Sequence, residues 1–148
     1  IAIGGFIGTV LAFPLITAML DPVTRKKNTS WRNVGGLIDF EEGKTKMVSF
    51  ENASPYKWSG EIAYSAAYVR REENNKLTAF SVNCAHLGCP VRWEEKPELF
   101  MCPCHGGVYY KDGSRAAGPP PRGLHTYPIR IVNNQVEIET QAIPITNI

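Results

Sequence analysis

The boxes CAHLGC (residues 84–89) and CPCHG (residues 102–106) decide how this chain folds and what it can hold. All four cysteines of the chain lie in these boxes, and so do two of its three histidines. One cysteine and one histidine from each box would supply the two thiolates and two imidazoles that hold a [2Fe–2S] cluster with one histidine-bound iron. The boxes therefore predict a redox cluster. The third histidine, His125, lies outside them and is predicted to be a surface or turn residue.

Other kinds of site could use the same cysteines and histidines. Zinc loops normally pair their ligands as C-x2–4-C, whereas His86 and Gly88 lie inside a C-x4-C here. A module held only by disulfides would explain the even number of cysteines but not the histidine in each box. A dithiol oxidoreductase needs C-x-x-C, which the sequence lacks. A non-redox zinc or disulfide module stays open as an alternative.

The composition fits one small, β-rich domain with a short extra element. The 148 residues are 43% hydrophobic and 20% charged, with 11 prolines and 13 glycines. A formal net charge of +2, with scattered Lys and Arg, gives no reason to expect a nucleic-acid partner. Short runs rich in Val, Ile, Tyr and Phe predict strands. These runs are 46–50, 61–69, 77–82, 108–110, 129–132 and 136–138, the last two joined by a turn at Asn133-Asn134.

The N-terminal segment predicts a membrane anchor. Residues 1–20, IAIGGFIGTVLAFPLITAML, contain no charged side chain. As a helix they would cover roughly 30 Å, the hydrocarbon thickness of a bilayer. Residues 21–33 are polar and basic, which predicts a tether or hinge. The basic run Arg25, Lys26 and Lys27 alone would favour a cytoplasmic C-terminal part by the positive-inside rule.

The two boxes resemble the C-x-H-x-G-C and C-P-C-H-G signatures of Rieske iron–sulfur proteins. The predicted span, the tether, the Gly118-Pro119-Pro120 stretch and the closing hairpin extend this likeness to Rieske subunits of cytochrome bc-type quinol oxidoreductases. The resemblance implies a mainly β fold. We expect one N-terminal transmembrane helix and a Rieske-type antiparallel β-sandwich head over residues 34–148, with a cluster-binding loop subdomain at about 82–122.

The resemblance also implies the pairing of the residues in the boxes. Two cysteines would bind the inner iron and two histidines the outer iron of one [2Fe–2S] cluster: Cys84, Cys102, His86 and His105. Cys89 and Cys104 would form a disulfide, which persists in oxidising compartments. Heads of this family lie on the positive side of an energy-coupling membrane. We therefore expect a single-pass membrane protein with an extracytoplasmic head, despite the basic tether.

The implied function is electron transfer in a quinol:cytochrome c oxidoreductase. A quinol hydroxyl would hydrogen-bond to His105 or His86, giving one electron to the cluster and one proton to that histidine. The electron would pass to a c-type cytochrome. A cytochrome b-type partner would supply the quinol site and a haem for the second electron, because this chain has no C-x-x-C-H motif. The alternative within the family is an anchored Rieske subunit of another oxidoreductase, such as an arsenite-oxidase-like enzyme.

Four further residues are expected to tune or shield the cluster: Tyr109, Gly107, Leu87 and Pro119. By the resemblance, Tyr109 donates to a ligand-cysteine sulfur, while Gly107 stands where many relatives have a serine that donates to a bridging sulfide. One donor fewer predicts a potential low in the family's positive range, within roughly −150 to +300 mV. A low potential favours menaquinol, as in complexes of Gram-positive bacteria. Leu87 either meets the quinone pocket or packs within its loop, and Pro119 belongs to a proline loop over the cluster.

Overall fold

The computed structural model describes residues 2–24, 29–53 and 64–141. Within these ranges the chain forms one long helix followed by eleven short strands. Their bounds are α1 Ala2–Thr24, β1 Thr29–Gly36, β2 Thr45–Glu51, β3 Tyr64–Arg71, β4 Leu77–Ser81, β5 Arg92–Glu94, β6 Leu99–Cys102, β7 Gly107–Tyr110, β8 Arg115–Ala117, β9 Thr126–Tyr127, β10 Ile129–Val132 and β11 Gln135–Gln141. The predicted elements or parts of elements at residues 1, 25–28 and 61–63 lie outside the described residues.

The described strands pair into three antiparallel sheets. Their orders are β1-β11-β10, β2-β3-β4-β9 and β5-β6-β7-β8. Antiparallel neighbours can be joined by short turns, which suits a chain with frequent Gly and Pro. The prediction of a mainly β, antiparallel fold is confirmed.

The sheet β2-β3-β4-β9 is the middle layer, with a hydrophobic core on each face. Because successive side chains of a strand point to opposite faces, β3 serves both cores. Val69 packs with Val136 of β11 in the first core. Tyr68 packs with Phe100 of β6 in the second core, with ring centroids 5.2 Å apart. The second core also contains both free cysteines, so it positions the site.

Arg70 connects the middle layer to the sheet β5-β6-β7-β8. Its side chain is only 4% exposed, and it pairs with Glu72 at 2.6 Å and with Glu98 at 3.3 Å. The guanidinium also lies over the Trp93 ring, 5.8 Å from its centroid. Lys111 holds the same Glu98 carboxylate at 2.9 Å, and this hydrogen bond is the main cause of the lowered pKa of Glu98. The start of β6 and the end of β7 are thereby fixed to the middle layer.

The closing hairpin is confirmed, with both Asn133 and Asn134 at positive φ, as a type I′ hairpin turn requires. Other elements differ from the sequence prediction. Residues 29–33, predicted as tether, instead belong to β1, which pairs with β11. β1 is a polar edge strand, so it lacks the apolar alternation that reveals a strand in sequence. The strands β5, β8 and β9, of two or three residues each, are too short to show any period.

The helix α1 ends at Thr24, four residues beyond the predicted span of 1–20. Most of the large apolar side chains described on it are more than half exposed: Val10, Leu11, Phe13, Leu15, Ile16, Met19 and Leu20. The sequence predicts a transmembrane helix here. In the described part of the chain, no helix has the combined length and apolar character needed to cross a bilayer.

Alanine substitutions at two glycines would test how tightly the middle layer is packed. Gly113 and Gly43 both have positive φ, at 79° and 74°. A Cβ on Gly113 would lie 2.5 Å from Phe80 Cε1 in the second core, whereas a Cβ on Gly43 would meet nothing within 4 Å. We expect Gly113→Ala to lower the free energy of unfolding by about 2–4 kcal/mol and Gly43→Ala by about 1–2 kcal/mol. Urea unfolding of the full-length variants measures both, and equal losses would contradict the overpacking argument.

Candidate metal centre

The first box closes into a tight loop between β4 and β5. The Cys84 N–H donates to the Cys89 carbonyl at 2.8 Å, and the Gly88 N–H donates to the Cys84 carbonyl at 2.9 Å. Gly88 has φ of 78°, a conformation that residues with a Cβ rarely adopt. Asn83 and Pro90 form a bridge just outside the loop. The two ends of the box are therefore held together by backbone contacts.

The second box is the turn between β6 and β7. Cys102, the last residue of β6, is paired with Gly107, the first residue of β7. Gly106 completes the turn with φ of 68°. The turn therefore presents Cys104 and His105 at the end of the β6–β7 hairpin.

A disulfide between Cys89 and Cys104 joins the two loops, with a Cα–Cα distance of 6.5 Å. The predicted pairing is confirmed. The two remaining cysteines, Cys84 and Cys102, are free thiols, and they are only 1% and 3% exposed. The structure thus divides the four cysteines into one crosslink and two buried thiols.

The two box histidines lie side by side. Their ring centroids are 4.9 Å apart and the rings are nearly perpendicular, at 87°. His86 is half-buried, whereas His105 is exposed. The Nδ1 atom of His86 is buried and has no hydrogen-bond partner among the described residues. Because buried polar atoms are normally paired, this free nitrogen and the two buried thiols fit a site for a metal or cluster.

A second grouping of sulfurs is a poor metal site. The sulfurs of Cys89, Cys102 and Cys104 all lie within 4.8 Å of one another. Two of these sulfurs are consumed in the disulfide and cannot act as thiolate ligands. Only Cys102 of this group remains available to a metal.

Tyr109 contacts the first box from within the second core. Its hydroxyl lies 3.0 Å from Cys84 Sγ and accepts a hydrogen bond from the Ala85 N–H at 3.0 Å. Burial is the main cause of a raised pKa for Tyr109, and the hydrogen bond with Cys84 raises this pKa further. The phenol therefore keeps its proton at neutral pH and can donate it to the Cys84 sulfur.

The run of three prolines at residues 119–121 packs against the second box through Pro120. A Cβ on Gly107 would lie 2.8 Å from Pro120 Cγ and 3.4 Å from Cys102 Cβ. Pro120 is fully buried, whereas Pro119, the residue predicted from the sequence, is exposed. A run of three prolines gives no signal for which ring turns inward. Sequence reasoning therefore chose the right segment and missed the contacting residue.

Leu87 and His125 are the remaining residues for which the sequence analysis made a prediction. Leu87 is 71% exposed at the tip of the first loop, so the alternative that it packs within that loop is wrong. His125 lies outside both boxes, with its ring 5.3 Å from that of Tyr127. Burial lowers the pKa of His125, and the charge of Arg122 lowers this pKa further.

Comparisons with protein families, related sequences and solved structures all find similarity to Rieske iron–sulfur proteins. The family model of the Rieske [2Fe–2S] domain matches residues 30–128. The menaquinol:cytochrome c reductase iron–sulfur subunit of Geobacillus thermodenitrificans is 32% identical over 124 residues, which cover 80% of this chain and 72% of that protein. The cytochrome b6-f complex iron–sulfur subunit of Chlorobaculum tepidum is 29% identical over 138 residues, covering 90% and 69%. A plasma membrane Rieske protein from Synechocystis PCC 6803 superposes with a TM-score of 0.53 at 25% identity, covering 72% and 97%.

A double-mutant cycle tests the contact between Gly107 and Pro120. Gly107→Ala should lower the unfolding free energy by about 1–3 kcal/mol, because the new Cβ overlaps the buried proline ring. Combining it with Pro120→Ala should remove that overlap, giving a favourable coupling of about 0.5–3 kcal/mol. Pro119→Ala, at the exposed neighbouring ring, should give no coupling. Thermal unfolding of the five full-length variants measures this, and additive losses for Gly107 and Pro120 would contradict the contact.

Proposed function

This chain belongs to the Rieske [2Fe–2S] domain family, and from that membership we propose that it is the iron–sulfur subunit of a membrane quinol:cytochrome c oxidoreductase. The observation that carries the proposal is the pair of crosslinked loops, which bring the two box histidines within 4.9 Å of each other, centroid to centroid. The Rieske cluster supplies a one-electron acceptor at a potential above that of ordinary [2Fe–2S] ferredoxins. The chain's own residues must bind it, tune it and bring it to a donor.

The proposed cluster ligands are Cys84, Cys102, His86 and His105. The two cysteines are the buried free thiols, which suits the inner iron. The half-buried His86 and the exposed His105 suit the outer iron. The unpartnered Nδ1 of His86 supports this assignment, because a metal–nitrogen bond would satisfy it. We propose that the cluster-binding part of the head covers residues of about 82–122 and that the head begins with β1, which pairs with β11 from Thr29 onward.

The exposed tip of the two loops is the proposed quinol contact. The His105 imidazole is open to solvent and can accept or donate a hydrogen bond with a quinol hydroxyl. Leu87, 71% exposed beside it in the first box, offers an apolar surface to the quinol site of a cytochrome b-type subunit. A proton and an electron would leave the quinol at this tip, and the electron would pass to a c-type cytochrome. The names of the relatives in Geobacillus and Chlorobaculum support such a complex.

Menaquinol is the proposed quinol. Tyr109 supplies one hydroxyl donor to the ligand sulfur of Cys84, while Gly107 supplies none. Pro120 fills the space into which a serine side chain at position 107 would extend. Fewer hydrogen bonds to sulfur give a lower potential, which suits the stronger reductant menaquinol. The Geobacillus relative is itself named for menaquinol.

We place the head on the extracytoplasmic side of the cell membrane. The Cys89–Cys104 disulfide supports this side, because such bonds persist in oxidising compartments. The exposed apolar side chains of α1 support attachment to a lipid bilayer or to apolar helices of the complex, since water disfavours such a surface.

Replacing His105, with His125 as a control, tests the ligand assignment. In an electron paramagnetic resonance redox titration of the full-length protein, we expect His105→Ala to lose the reduced-state signal with mean g below the free-electron value. His125→Ala, the matched control outside the boxes, should keep it. In the assembled membrane complex, menaquinol-dependent reduction of cytochrome c should be lost only in His105→Ala.

Two outcomes of the titration and the activity assay would contradict different parts of the proposal. A His105→Ala protein with an unchanged signal would overturn the ligand assignment. If His105→Ala loses the signal but its membrane complex still oxidises menaquinol at the wild-type rate, the ligand assignment stands and the proposed quinol role is wrong.

A neighbouring pair of tyrosines tests how the potential is set. Tyr109→Phe removes the hydroxyl donor to Cys84 and should lower the cluster midpoint by roughly 60 mV, a tenfold change for one electron. Tyr110→Phe, one position further and 53% exposed, should leave the midpoint unchanged. Redox titration followed by circular dichroism gives both values. Equal midpoints for wild type and Tyr109→Phe would show that the phenol does not tune the cluster.

A further inference from the structure

The two free thiols of the site have different neighbours. Cys84 Sγ lies 3.0 Å from the Tyr109 hydroxyl. Cys102 Sγ lies within 4.8 Å of both sulfurs of the Cys89–Cys104 disulfide, a group to which Cys84 does not belong. Cys102 is also only 3% exposed, so thiols from solution reach it poorly. One buried thiol is therefore placed beside a disulfide inside the same fold.

We propose that, when no cluster is bound, Cys102 exchanges with the disulfide and converts the Cys89–Cys104 bond into a Cys89–Cys102 bond. The Cys102 thiolate attacks Cys89 Sγ, the Cys89–Cys104 bond breaks, and Cys104 leaves as a thiolate that takes up a proton. One disulfide and one thiol are present before and after. The step therefore needs no oxidant or reductant.

The position of the cysteines decides which sulfur is attacked. Only Pro103 separates Cys102 from Cys104, and both lie on one turn at the end of β6. A disulfide between these two would have to close a very small ring, which the geometry of the bond disfavours. Cys89 comes from the other loop, so a bond to Cys102 still crosslinks the two loops. Attack on Cys89 is therefore the productive direction.

The cluster would prevent this exchange, a point that rests on the proposed assignment of Cys102 as a ligand. A sulfur bound to iron is not a free nucleophile. After exchange, Cys102 would be locked in a disulfide and unable to bind iron, while the exposed Cys104 would carry the free thiol. A chain that has lost its cluster could then be loaded again only after the reverse exchange, in which the Cys104 thiolate attacks Cys89 Sγ and releases Cys102.

Two cluster-free variants isolate the free cysteines one at a time. Each removes a proposed ligand, so neither holds a normal cluster, and each retains one free thiol: Cys102 in Cys84→Ser and Cys84 in Cys102→Ser. The full-length proteins are incubated in native buffer, alkylated and mapped by mass spectrometry of non-reduced peptides. In Cys84→Ser we expect the Cys89–Cys102 and Cys89–Cys104 pairs at populations within about tenfold of each other, because the exchange replaces one disulfide between the loops by another, with no net oxidation or reduction. In Cys102→Ser we expect only Cys89–Cys104.

Wild-type protein, loaded with its cluster or stripped with a chelator, completes the experiment. A Cys84→Ser protein that keeps only the Cys89–Cys104 bond would overturn the proposal. Stripped wild type in which Cys84 forms disulfides as often as Cys102 would also overturn it, because unfolding rather than local exchange would explain the result. Loaded wild type that isomerises as fast as stripped protein would leave the exchange standing and refute Cys102 as a ligand.

Discussion

The disulfide between Cys89 and Cys104 is the constraint on which the arrangement of the site depends. The two boxes belong to different loops, and the bond joins cysteines separated by 15 positions. Closing a loop of that size removes about 3 kcal/mol of chain entropy from the unfolded state. Its local effect is geometric, since it brings the His86 and His105 rings to 4.9 Å. The second core also holds the buried Cys84 and Cys102, so the crosslink acts mainly on the outer part of the loops, where the two histidines lie.

The middle sheet provides the rigid support beneath those loops. Its second face packs Tyr68 and Phe80 against Phe100, at centroid distances of 5.2 and 5.6 Å. Phe100 is paired in register with Tyr109, whose hydroxyl reaches Cys84. Packing in the second core is therefore connected, through one aromatic pair, to a sulfur of the site. Arg70 adds a charged connection between the same two layers.

The features predicted from the sequence are local, whereas those it missed depend on distant partners. The boxes, the Asn133-Asn134 hairpin and the strands with clear alternation are each encoded within a few residues. The strand β1 is recognisable only through its pairing with β11. The inward turn of Pro120 follows from the lack of a side chain at Gly107, which no pattern within the proline run reveals. The bridge through Arg70 likewise needs the third sheet to be in place.

The closeness that suits the loops to a cluster also places a reactive thiol beside the crosslink. Loops that present ligands to one small cluster must bring their sulfurs together, and Cys102 lies within 4.8 Å of both disulfide sulfurs as a result. Moving Cys102 away would remove this contact and also take a proposed ligand from the site. On the proposed ligand assignment, cluster and disulfide are interdependent: the crosslink holds the loops for the cluster, and the cluster keeps Cys102 from moving the crosslink to itself. Loss of the cluster would then leave the two loops crosslinked but keep Cys102 out of the ligand set until the exchange is reversed.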